Sequence, residues 1–161
     1  MLAARAALGD VASFSELVRI HERGVRAFLR RLAGEGADDL AQETFLKAWR
    51  MAPAWRGEGS YRGWLLRIAW RQFLSDRRRR RPGPPIESEP SIPPDETIRI
   101  DVARALARLP DRERAAALLC FGEGCSHAEA AAVLGLPLGT LKSIVARART
   151  ILVRQLEGHE R

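Results

Sequence analysis

Apolar residues recur every three or four positions along most of the chain, the spacing of amphipathic helices. Val11, Phe14, Leu17, Val18 and His21 predict a helix from Asp10 to about Glu22, with Gly24 as punctuation. Val25, Phe28, Leu29 and Leu32 predict a second, Val25 to Ala33, broken at Gly34-Glu35-Gly36. Asp38 or Asp39 is placed to cap a third, with Leu40, Thr44, Phe45, Ala48 and Trp49 as its stripe and Pro53 as its end. After a glycine-containing loop, 54–60, a fourth runs from about Ser60 to Arg80, with Tyr61, Trp64, Leu65, Ile68, Ala69 and Phe73 inward.

Residues 82–97, with six prolines, cannot hold a regular element. They read as an acidic, semi-extended linker. Four more helices are expected beyond it. Thr97 to Arg108 carries Ile98, Val102, Ala105 and Leu106, ahead of Leu109. Pro110-Asp111 stops it and caps the next, which runs to about Phe121, before Gly122 and Gly124. Ser126-His127-Ala128-Glu129 has capping-box spacing and opens a helix to about Leu134. Gly135-Leu136-Pro137 turns into a last helix, about Leu138 to Glu157. No β-period alternation occurs, so the expected class is all-α: two small helical domains, 1–81 and 99–161, joined by 82–98.

Charge sharpens this division. The 161 residues carry a net +7, nearly all the basic charge being arginine. Residues 1–81 hold 17 basic and 9 acidic side chains, residues 82–98 none and 4, and residues 99–161 10 and 7. Codon bias alone favours a uniform spread; two basic bodies around an acidic connector suit a protein that grips a polyanion. No run of eighteen apolar residues exists, and Met1 to Asp10 lacks an apolar signal core, so a soluble cytoplasmic protein without membrane insertion is expected. Cys120, Cys125 and His127 offer three ligands in C-x4-C-x-H without a fourth, so neither a metal nor another cofactor is expected.

Three stretches carry candidate chemistry. The first, from Ser126 to Arg149, reads as a helix-turn-helix, with Ala130 and Ala131 allowing close helix crossing. Thr140, Lys142, Ser143, Arg147, Arg149 and Thr150 can then face a DNA groove; the plain alternative is a helical hairpin with a solvated face. The second, D-D-L-A-Q-E-T-F-L-K-A-W, presents Asp39, Gln42 and Glu43 outward. That face suits a protein partner or serves the helix dipole. The third runs from Trp55 through the five arginines Arg77 to Arg81 and interleaves aromatics with cations, as single-strand DNA sites do. Its glycines Gly57 and Gly59 suit a loop around an extruded base. Most of its aromatics suit the core, and Trp55 and Trp70 are the exposed candidates.

Together these stretches resemble the extracytoplasmic-function (ECF) group of sigma factors, from Gly9-Asp10 to about Leu156. D-L-A-Q-E-T-F-L-K-A-W and G-S-Y-R-G-W-L-L-R-I-A are similar to sigma region 2; L-P-x-R-E-R and G-L-P-L-G-T-L-K-S are similar to sigma region 4. The resemblance implies a non-enzymatic promoter-recognition factor for RNA polymerase. Asp39, Gln42 and Glu43 would meet the β′ clamp helices, region 4 the β flap, and the linker the RNA exit path. Trp55, Arg56, Ser60, Arg62, Arg67, Trp70, Arg71, Gln72, Arg77 and Arg78 would serve the minus-ten element. Thr140, Lys142, Ser143, Arg147 and Arg149 would serve the minus-thirty-five element. An anti-sigma factor is the further implied partner. A stand-alone helix-turn-helix regulator and an enzyme on nucleic acid are the competing classes; no metal-spaced carboxylate cluster or Ser/His/Asp set favours the latter.

The chain departs from the family pattern at three places. Trp70-Arg71-Gln72 stands where Arg-Asn is usual, and Gln72 retains the chemistry to pair with adenine. Cys125-Ser126-His127 replaces Leu-Ser-Tyr. Ile144 replaces an arginine in the last helix, which predicts weaker minus-thirty-five binding or an apolar contact for an inhibitor. On the first option, Ile144→Arg raises promoter affinity.

Overall fold

The computed structural model describes residues 1–80 and 97–158, side chains of 97–100 apart. Eight α-helices follow in order: α1 Leu2–Ala7, α2 Val11–Ala33, α3 Ala37–Met51, α4 Tyr61–Arg79, α5 Thr97–Ala107, α6 Asp111–Ala117, α7 His127–Leu134 and α8 Leu138–Glu157. No strand occurs among the described residues. The expected linker lies outside them, except that residues 97 and 98 already belong to α5.

Helix α2 is continuous through Gly24, against the expected break. A Cβ at Gly24 would stand 3.3 Å from Glu123 Oε2, so this glycine marks a close approach to the second half of the chain. Asp10 caps α2, its carboxylate accepting from Ala12 N at 3.2 Å and from the Ser13 hydroxyl at 2.6 Å. Helix α1 was not expected, because six residues hold too few turns to show a period. Gly36, at φ 84°, stands at the N-cap of α3, the place expected of Asp38 or Asp39. Asp38 instead accepts from Arg26 at 3.1 Å and lies 3.7 Å from Arg30. Pro53 sits in a 3-10 turn, Ala52–Ala54, and a π-helical turn, Leu118–Gly122, continues α6.

Helices α2, α3 and α4 pack together, with Phe28, Leu29, Leu65 and Leu66 wholly buried. Each such side chain contributes about 1.5–3 kcal/mol by leaving water. Phe14 meets Trp49 with ring centroids 5.0 Å apart, joining α2 to α3. Leu109, Ala117 and Ala148, with Leu106, Ile151 and Leu152, form a small separate cluster in the second half. The main core does not stop at the domain boundary: Val25, Phe28 and Leu65 share it with Ala115, Leu119, Ala130, Leu134 and Leu141. Helix α7 lies along α4, and the π-helical turn lies along α2. Neither half alone offers a large core, so docking one on the other is a direct way to bury apolar surface.

Candidate polymerase and nucleic-acid interfaces

Asp39, Gln42 and Glu43 all stand exposed on α3. Leu46 joins them at the next turn, 44% exposed. It is an apolar centre to a polar patch, and its i+7 spacing from Asp39 was the signal available in the sequence. The opposite side of α3 is held by buried Leu40, Ala41, Thr44 and Ala48, with Thr44 Oγ1 donating to Leu40 O at 2.7 Å.

Helix α4 divides the expected minus-ten residues. Ser60 caps it, accepting from Gly63 N at 2.9 Å. Arg67, Arg71 and Arg78 form an exposed basic stripe together with Ser75, and Arg56 is exposed on the preceding loop. Trp70 and Gln72 stand apart from this stripe: in the docked arrangement they are 5% and 6% exposed. Trp70 stacks on Phe73, centroids 5.6 Å apart. The reason is tertiary. Helix α4 is packed by α2, α3 and α7 together, which leaves one narrow face to solvent. A pattern that reads α4 as half-exposed therefore misses that both residues are covered while the halves are docked.

Trp55 is half-buried, edge-on to Tyr61 at 5.6 Å. Tyr61 also meets His21 at 5.6 Å and Trp64 at 5.3 Å. Burial pushes the Tyr61 hydroxyl up to about 12. Burial, and then the nearby Arg62 charge, pulls His21 below its ordinary value. Trp55 Nε1 and Tyr61 Oη are buried without a hydrogen-bond partner.

Two arginines of α4 turn toward the second half. Arg62 Nη2 lies 3.9 Å from Cys125 Sγ, as its donor. Arg77 grips Asp111 through Nε to Oδ2 at 2.9 Å and Nη2 to Oδ1 at 2.6 Å, and its guanidinium lies 5.5 Å from the centre of the Phe73 ring. Burial pushes the Asp111 carboxyl up, but the bonds and charges of Arg77 and Arg114 outweigh it and hold it below its ordinary value.

The helix-turn-helix is present. Ser126 Oγ accepts from Glu129 N at 3.1 Å, and Glu129 Oε2 accepts from Ser126 N at 2.8 Å. Gly135, at φ 66°, ends α7, where a side chain would be strained. Helices α7 and α8 bend by 104°, within the range of this motif. Leu141, Ile144, Val145 and Ala148 bury one side of α8, while Thr140, Lys142, Ser143, Arg147, Arg149 and Thr150 are exposed. At 100° per residue, Ser143, Ala146 and Thr150 centre the exposed arc, Thr140 and Arg147 flank one side, and Lys142 and Arg149 the other. Ala146, passed over in the sequence, has the small apolar side chain that meets a thymine methyl. Ser143 and Thr150 donate to Gly139 O and Ala146 O, leaving acceptor lone pairs outward.

Ile144 is only 6% exposed, so it offers no apolar contact to an inhibitor, and an arginine there would start inside the core. Cys125 is buried and Cys120 half-buried, and burial pushes both thiols up. No group of three metal-ligating side chains gathers among the described residues. Among the same residues, no single helix is long and apolar enough to cross a membrane.

Comparisons with known proteins agree with this geometry. Residues 17–82 match the model of Sigma-70 region 2, and residues 99–152 that of Sigma-70, region 4. The ECF RNA polymerase sigma factor SigM of Mycobacterium tuberculosis is 37% identical over 97% of this chain and 83% of its own length. SigE of Mycolicibacterium smegmatis is 37% identical over 95% of this chain, which spans 66% of that relative. Among solved structures, the sigma factor RpoE of Bartonella quintana, crystallised with the anti-sigma factor NepR, is 32% identical with a TM-score of 0.83 over 91% of this chain and 98% of its own. CnrH, solved with the cytosolic domain of CnrY, is 30% identical with a TM-score of 0.76 over 98% of this chain and 96% of its own. With both sigma regions matched in order and a relative covered over most of its length, the chain belongs to the ECF group of sigma-70-family RNA polymerase sigma factors.

Proposed function

We propose that the chain works in the cytoplasm as a non-enzymatic initiation factor, bringing core RNA polymerase to promoters through two separate DNA grips. The observation that carries this reading is the exposed polar arc of α8 over a fully apolar inner side, presented by a capped helix and a tight turn. Region 4, residues 99–161, then reads the minus-thirty-five element. Ser143, Ala146 and Thr150 meet base edges, and Arg147, Lys142 and Arg149 meet the phosphates on either side. Region 2, residues 1–81, carries the polymerase face Asp39, Gln42, Glu43 and Leu46, and the minus-ten face of Arg56, Arg67, Arg71 and Arg78 beside the Trp55–Tyr61 cluster. The β′ clamp helices and the β flap are the docking partners, and residues 82–98 connect the two regions.

Two weak grips held apart by one large enzyme gain selectivity from effective concentration. An anti-sigma factor, the partner with which the Bartonella quintana relative was crystallised, fits a chain whose DNA-facing and polymerase-facing surfaces lie on both halves. Run-off transcription with core polymerase and a randomised promoter library tests the reading. Enrichment of two spaced elements is expected; transcription indistinguishable from core enzyme alone overturns it.

A further inference from the structure

The docked arrangement cannot read a whole promoter. Minus-ten and minus-thirty-five elements lie about 25 base pairs apart, roughly 85 Å at 3.4 Å per pair. Here α4 and α7 touch, and α8, at 20 residues, is only about 30 Å long. The two halves must separate before both elements can be engaged together.

The seam runs along one face of α4. Arg62, Leu66, Ala69, Phe73 and Arg77 share an arc about 80° wide at 100° per residue. Leu66, Ala69 and Phe73 are buried. Arg62 and Arg77, at the two ends, each bind the second half. Arg67, Arg71 and Arg78 lie on the opposite arc and stay in solvent. Docking therefore ties up Arg62 and Arg77 while leaving Arg67, Arg71 and Arg78 in solvent.

At Arg77 the withheld group is tied in a specific way. Both oxygens of Asp111 meet the guanidinium edge, the forked geometry with which arginine also holds a phosphate. Arg114 supports the same carboxylate from one turn along α6. Phe73 stacks beneath the guanidinium and keeps it in place.

We propose that Asp111 is an internal phosphate mimic: it latches region 4 onto region 2 by occupying Arg77, and promoter DNA takes its place when polymerase draws the halves apart. The assignment of Arg77 to DNA rests on the proposed function; the latch itself does not. The core seam supplies most of the docking energy, and the Arg77–Asp111 pair makes docking compete directly with DNA.

The test uses the full chain and a fluorescein-labelled single-stranded DNA of mixed sequence. Asp111→Asn should tighten binding by about fivefold, the order expected on releasing one partly exposed ion pair, and should raise the radius of gyration in small-angle scattering. Arg77→Ala should weaken DNA binding and lower its salt slope by about one. In the Arg77→Ala background, Asp111→Asn should bring no gain. A gain that survives there, or unchanged affinity and dimensions in Asp111→Asn, overturns the latch. Helical circular dichroism checks that each variant is folded, and Arg77→Lys, which keeps charge but loses the fork, should fall between wild type and Arg77→Ala. Co-sedimentation with core polymerase separates the two ideas. A swap without polymerase binding sinks the proposed function alone; polymerase binding without a swap sinks the latch alone.

Discussion

Glu113, on α6, accepts a hydrogen bond from Arg147 Nη1 of α8 at 3.0 Å, and its side chain is 13% exposed against 61% for the arginine. A mostly buried carboxylate thus holds one edge of an exposed guanidinium. Arginine has five N–H donors, so the remaining ones stay available to DNA. Holding the side chain in advance lowers the entropy lost on binding. Arg147→Ala should weaken minus-thirty-five binding about equally across sequences and lower its salt slope by about one. Glu113→Gln should cost less, because the hydrogen bond survives without its charge. Holoenzyme binding to the selected promoter measures both. Equal losses for the two variants would mean that Glu113 serves the fold and not the position of Arg147.

Leu46 makes the polymerase face testable without disturbing the core. An exposed leucine amid Asp39, Gln42 and Glu43 gives an interface a dry centre with a polar rim. Leu46→Glu should weaken core polymerase binding by about tenfold or more, the order of one buried anchor. The melting temperature should hardly change, as for other surface substitutions. A thermal shift as large as that of a core variant, with unchanged polymerase affinity, would place Leu46 in the fold.

The capping box offers a prediction about stability alone. Ser126→Ala removes the acceptor for Glu129 N and should cost about 0.5–2 kcal/mol. For a chain of this size that lowers the melting temperature by a few degrees. Thermal denaturation followed by circular dichroism measures it. The same box was fully legible in the sequence, because its chemistry is local. So were the turn at Gly135, the buried stripe Leu141–Val145–Ala148, and the outward Asp39, Gln42 and Glu43. What escaped depends on contacts distant in the chain. Gly24 looks like a helix breaker until Glu123 is seen against it. Trp70 and Gln72 look like surface residues of a two-sided helix until a third side is covered by packing. Helix periodicity says which side of a helix is apolar; it does not say how many neighbours the helix has.

Ile144 separates local from tertiary reasoning most sharply. Read by position, an arginine there should reach a phosphate and raise promoter affinity. Its burial in the main core predicts the reverse. Ile144→Arg forces a guanidinium into apolar surroundings or pushes α8 off its seat, at a cost of several kcal/mol. Urea unfolding should show a much lower midpoint, and promoter binding should fall with it. Unchanged stability with tighter promoter binding would mean that the side chain is free in the working state.

Acid should loosen the docked halves before it melts the helices. The docked state holds Asp111 below its ordinary 3.8, as the bonds and charges of Arg77 and Arg114 more than offset burial. Asp76 adds a carboxylate near Arg77, and the arginines stay charged throughout. Arg114, on the same helix, stays beside Asp111 when the halves part, so it is the loss of the Arg77 bonds and charge that makes undocked chains bind more protons there. The contribution of this group to docking is complete above about pH 4 and is lost as pH falls through the docked value. Radius of gyration measured from pH 6 to pH 3 should rise in the wild type while helical circular dichroism holds. Asp111→Asn has no proton to gain and should begin expanded, with a weaker pH response. Identical profiles for the two chains would assign acid expansion to other carboxylates and leave Asp111 without a part in it.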